Sequence, residues 1–112
     1  MRKITDRRMS RRYDVHLPVH YRVSLRGLTS IAGTGTTREM SSSSLSFRCR
    51  RPLPVGGHIE VAIDWPARAE EMTPMELVVT GVIIRSDGGR TAVQIASTRF
   101  RSNATVPFRA TA

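Results

Sequence analysis

The chain has 112 residues, 39% of them hydrophobic and only 5% aromatic, which supports one small domain with a thin Val/Ile/Leu core and excludes a large two-domain enzyme scaffold. Basic residues outnumber acidic ones 18 to 9, giving a formal charge of +9, and every basic residue except Lys3 is arginine. Such a balance favours anionic partners, namely nucleotides, nucleic acid or an acidic protein face.

The chain opens on a basic stretch in which Arg7, Arg8, Arg11 and Arg12 fall within six residues and show no hydrophobic periodicity. Residues 1–12 are therefore expected to form a flexible arginine-rich arm, its guanidinium forks suited to phosphates or guanine edges. From Val15 to Arg26 the pattern changes. Val15, Leu17, Val19, Tyr21, Val23 and Leu25 alternate with polar residues, the mark of a half-buried strand. Pro18 lacks an N–H, so that strand should carry a free edge or a bulge there.

Gly27 to Gly35 reads as a turn-rich connector, and Thr34 to Met40 as a second strand. A run of serines, Ser41 to Ser44, interrupts regular structure before Leu45 to Cys49 alternates again. Residues 50–57 are turn-forming punctuation. His58 to Trp65 is a fourth strand, followed by a long loop, 66–74, with room for one helical turn over Ala67 to Met72. Met75 to Arg85 is apolar on both faces and should be central. Asp87-Gly88-Gly89 supplies a tight hairpin, and Thr91 to Ala96 returns as the sixth strand. Residues 98–112 show no clear period and are expected to be a tail.

Short antiparallel strands with turn signals at regular intervals must close on themselves to cover one apolar face. The expected fold is all-β, a small six-stranded antiparallel barrel spanning residues 13–97. Cys49 is the single cysteine, which fits a reducing compartment. The basic N-terminal stretch lacks the apolar core of a secretory signal. The apolar segment Leu77 to Ile84 falls far short of the roughly 20 residues a membrane helix needs. A cytoplasmic location without membrane insertion is the expectation.

No catalytic constellation is visible, and the expectation is a non-enzymatic binding domain without cofactor. His16 and His20 would sit about 13 Å apart along a strand, too far to share a metal. Gly33-Thr34-Gly35 lacks the lysine and following helix of a P-loop, and the serine run lacks a nucleophile elbow. The few aromatic residues fall on predicted core faces, which argues against a stacking platform for nucleic acid.

Two stretches together are more specific. Arg8-Met9-Ser10-Arg11-Arg12 has the form Arg-x-x-x-Arg just before a strand reading Val-x-Leu-Pro-Val. Further on, Glu39-Met40-Ser41-Ser42-Ser43-Ser44-Leu45-Ser46-Phe47 stands where Asp/Asn-x-Ser-x-x-Gly and Leu-x-Phe would be. This combination resembles the PilZ domain, a bacterial receptor module for cyclic di-GMP, and the likeness extends over roughly residues 7–97. The resemblance implies a six-stranded barrel whose arginine arm grips the nucleotide while the second motif supplies hydrogen bonds. By position, the implied ligand-binding residues are Arg8, Arg12, Glu39 and Ser41, with Ser44 at the glycine position and Arg7 and Arg11 as neighbours. It also implies a protein partner that reads the liganded state. Glu39 and Ser44 depart from the motif, which leaves a second possibility: a PilZ-like scaffold that binds protein rather than nucleotide.

Overall fold

The computed structural model describes residues 13–65 and 75–102; the arm at 1–12, the loop at 66–74 and residues 103–112 lie outside them. The described chain is entirely strand and turn: β1 Tyr13–Asp14, β2 Pro18–Leu25, β3 Leu28–Met40, β4 Ser44–Cys49, β5 His58–Trp65, β6 Met75–Asp87 and β7 Arg90–Ser102. The strands pair antiparallel in the order β3-β2-β5-β6-β7-β4, and β4 pairs back onto β3 to close a six-stranded barrel. The short β1 runs beside the end of β3.

The expected alternation is what fills the barrel. Val19, Tyr21 and Val23 of β2 point inward, and Ile59, Val61 and Ile63 of β5 meet them from the next strand. Leu45 and Phe47 of β4, with Val79, Ile83 and Val93, complete the interior. Tyr21 and Phe47 pack as tilted rings 5.5 Å apart. Val78 is buried too, although it lies on the opposite face from Leu77 and Val79, so β6 is apolar on both sides as its composition implied. At one end Leu53, from the β4–β5 connection, closes the barrel, its N–H donating to Ser86 Oγ at 2.8 Å.

The segment Gly27 to Gly35 is not a connector. Arg26 and Gly27, with φ of 55° and 84°, make the whole turn, and β3 runs unbroken from Leu28. The glycines that suggested a turn serve close approach instead. A Cβ on Gly33 would lie 2.6 Å from the Tyr21 hydroxyl, and one on Gly35 would lie 2.1 Å from the Arg48 carbonyl oxygen. These two sites need the missing side chain rather than an unusual backbone.

The last strand also runs further than periodicity shows, to Ser102 rather than Ala96. A bulge explains the miss: Thr80 pairs with Ser97 but Gly81 pairs with Ile95, leaving Ala96 as the extra residue. The residues registered with the inward side of β6 therefore switch from Val93 and Ile95 to Thr98 and Phe100, both exposed, and a fixed period of two is lost at that step. Phe100 meets Trp65 edge-to-face, ring centroids 5.8 Å apart.

Candidate functional site

The serine run forms a tight turn between β3 and β4. The Ser41 N–H donates to the Ser44 carbonyl at 2.8 Å. The Ser41 hydroxyl oxygen accepts the N–H groups of Ser43 and Ser44 at 3.2 and 3.1 Å and lies 3.1 Å from the Ser44 hydroxyl. A serine does this well because its short side chain can satisfy its own following backbone. The turn is tied to the barrel by the Ile95 N–H, which donates to the Ser43 carbonyl at 2.9 Å. Ser41 is thus buried and committed to shaping the turn, whereas Ser44 is half-buried and Ser42 and Ser43 are exposed. Arg26 is the one non-glycine residue with positive φ among those described, so Ser44 holds ordinary strand backbone at the position where the motif has glycine.

Glu39 is close to this turn for a reason of register. β3 bulges at Arg38, between the pairs Thr37–Phe47 and Glu39–Ser46. Glu39 and Ser44 line a cavity of about 410 Å³ together with Ser46, Arg85, Asp87 and Arg90. The two arginines come from the β6–β7 hairpin, where Asp87 pairs with Arg90 and Arg85 with Ala92. Arg90 also stands opposite Arg48 of β4. Two like charges in register repel, a contact that an anion beside them would offset. The cavity offers guanidinium donors, a carboxylate acceptor and hydroxyls, a set suited to holding an anionic ligand rather than to transferring a group.

The arm residues Arg7, Arg8, Arg11 and Arg12 lie outside the described residues, but the point where the arm joins the barrel does not. Tyr13 pairs with Met40 and Asp14 with Glu39, so the chain leaves the arm directly beside the serine turn. Thr37 holds this junction. Its buried hydroxyl accepts the Leu17 N–H at 2.8 Å and donates to the Val15 carbonyl. The neighbouring backbone adds Val15 N–H to the Arg38 carbonyl at 3.1 Å and Thr37 N–H to the Leu17 carbonyl at 2.9 Å. The strand expected from Val15 is instead broken over 15–17, and β2 begins at Pro18, which pairs with Thr36. The β2–β3 bulge lies at Val23 and Ser24, not at the proline, and Thr37 pins both ends of the break.

Arg85, Arg90 and Thr37 were not among the residues singled out from sequence. Arg85 and Arg90 flank the Asp87-Gly88-Gly89 hairpin, and the pairing of β7 with β4 and β6 sets Arg90 opposite Arg48 and Arg85 beside Ala92, the partner of Ser46. Thr37 carried no signal of its own, being one of several threonines in a strand.

No family model and no curated protein matches this chain. Among solved structures, it is similar to the crystal structure of the PilZ domain of CeSA from a cellulose-synthesizing bacterium, with a TM-score of 0.62 and 22% identity over 79% of this chain and 82% of that one. The strand order, the barrel closure and this likeness agree: the chain folds as a PilZ-like domain.

Proposed function

We propose that this chain is a non-enzymatic receptor for cyclic di-GMP. The observation that carries the proposal is the pairing of Tyr13 with Met40 and Asp14 with Glu39, which roots the arginine arm beside the serine turn. Arg8 and Arg12 then supply bidentate donors to the nucleotide's phosphates and guanine edges, while Arg85 and Arg90 add charge from the barrel wall. Glu39 accepts from a guanine N–H edge, and Ser44 faces the same cavity. Ser41 acts by holding the turn in shape. The two phosphates draw the arm onto the barrel, and the surface so formed is what a protein partner recognises.

Arg8→Ala and Arg12→Ala test the proposal, each expected to weaken cyclic di-GMP binding by about tenfold or more. Variants that bind as tightly as the parent contradict it.

A second reading has one specific observation in its favour. The Glu39 carboxylate lines the cavity together with Asp87, and both repel phosphate. On that reading the domain is a PilZ-like scaffold whose arginines, away from those carboxylates, meet an acidic protein face, and only Glu39→Asn with Ser44→Gly creates nucleotide binding.

A further inference from the structure

A larger cavity opens elsewhere on the barrel. β3 pairs with β4 only from Gly35 onward, and among the described residues no strand covers that edge of β3 before it. Gly33 and Gly35 line the cavity with the buried Tyr21 and Cys49, and neither glycine puts a side chain into it. The resulting space is about 850 Å³, within the size range of small-molecule sites. It shares no lining residue with the cavity at the serine turn.

Its charge is one-sided. Arg48, Arg50 and Arg51 come from the end of β4 and the residues after it, Arg38 from the β3 bulge, and His16 from the break before β2. No aspartate or glutamate lines it. The side-chain ion pairs among the described residues, Arg22 with Glu60 and Arg101 with Glu76, lie elsewhere and involve none of these arginines. Arg48 additionally faces Arg90 in register, a like-charge contact that a bound anion would relieve. The rim's field reaches the cavity floor: Arg51 acts on the Tyr21 phenol against the effects of burial and Cys49.

We infer that this mouth is a second binding site, separate from the serine-turn surface, for a small ligand bearing two or more phosphate groups. Four arginines at one mouth can offer more donors than one phosphate can accept in bidentate geometry. The remaining lining is glycine, alanine, threonine, Tyr21 and Cys49, which offers polar contacts but no broad apolar face. The concave shape favours a compact molecule over a protein edge or a nucleic-acid backbone, which would stop at the rim.

The test is a titration of the full chain with inorganic pyrophosphate at physiological salt, followed by backbone amide NMR, with sodium chloride at matched ionic strength as control. The expected result is a saturable shift centred on the amides of Gly33, Gly35 and Gly89. Arg50→Ser combined with Arg51→Ser, both at exposed positions, should weaken it by about tenfold or more. Cyclic di-GMP binding by that double variant should be unchanged, which separates this site from the nucleotide proposal. The inference is overturned by the absence of saturation, by equal binding in the double variant, or by shifts centred on Ser44 to Ser46 and Arg90. It is equally overturned if a polyglutamate peptide binds at the mouth while pyrophosphate does not.

Discussion

Tyr13 lies opposite Met40 in the β1–β3 pair, so the residue that follows the arginine arm sits one position before the serine turn begins. An arm is effective in ligand capture only if its root is close to the surface it must reach, because every added residue of slack dilutes it. Here that closeness is built from backbone pairing, and one buried hydroxyl maintains it.

That hydroxyl belongs to Thr37. Thr37→Val keeps the shape but orphans the Leu17 N–H and the Val15 carbonyl, both currently bonded to it. The expected cost is about 1–3 kcal/mol of folding stability. If the junction positions the arm, nucleotide affinity should fall as well. Urea denaturation and a binding isotherm on the same variant check both parts; unchanged affinity in a folded variant would mean the arm is placed by something other than Thr37.

Gly35→Ala should be poorly tolerated. The added methyl would meet a backbone carbonyl rather than a movable side chain, since Arg48 O stands 2.1 Å from its ideal position. The barrel closes between β3 and β4 at this point, so the strands must separate or shift register. Overpacking of this kind typically costs about 1–3 kcal/mol, which a thermal melt reads directly. A variant as stable as the parent would show that the closure has slack.

Tyr21 gives the fold an alkaline limit. Burial raises its pKa above the ordinary phenol value of 10.0; the neighbouring Cys49 acts in the same direction and Arg51 opposes it. Above about pH 10 the unfolded chain releases the phenol proton while the folded chain retains it. The unfolded state then binds fewer protons, so stability is fully present below pH 10 and is lost as pH rises from there through the folded pKa. Urea midpoints measured from about pH 8 to pH 11 should fall less steeply in Tyr21→Phe than in the parent. Identical slopes would show that the phenol is not the titrating group.

The barrel was legible because its core strands carry uninterrupted alternation, as in Val19-Tyr21-Val23 and Ile59-Val61-Ile63. It was least legible where the backbone departs from a period of two. Gly33 and Gly35 resembled turn residues, since composition alone does not distinguish a glycine needed for positive φ from one needed for close packing. Ala96 concealed the end of β7 by shifting its alternation one residue, into a stretch that is exposed on both sides. At the site, local motifs identified Glu39, Ser41 and Ser44, but Arg85 and Arg90 arrive through pairing between β4 and β7, across more than forty residues of chain. Contacts of that kind depend on topology, and no short window of sequence contains them. The motif also did not disclose that Ser41 faces inward, towards its own turn.

The most direct test of the receptor proposal is a calorimetric titration of cyclic di-GMP into the full chain at physiological salt, with GTP as control. The proposal predicts saturable binding at micromolar or lower concentration for cyclic di-GMP and none for GTP, showing that Glu39 and Ser44 are tolerated in the site. No binding well above that range would contradict it, leaving a PilZ-like barrel whose arginines serve a protein partner.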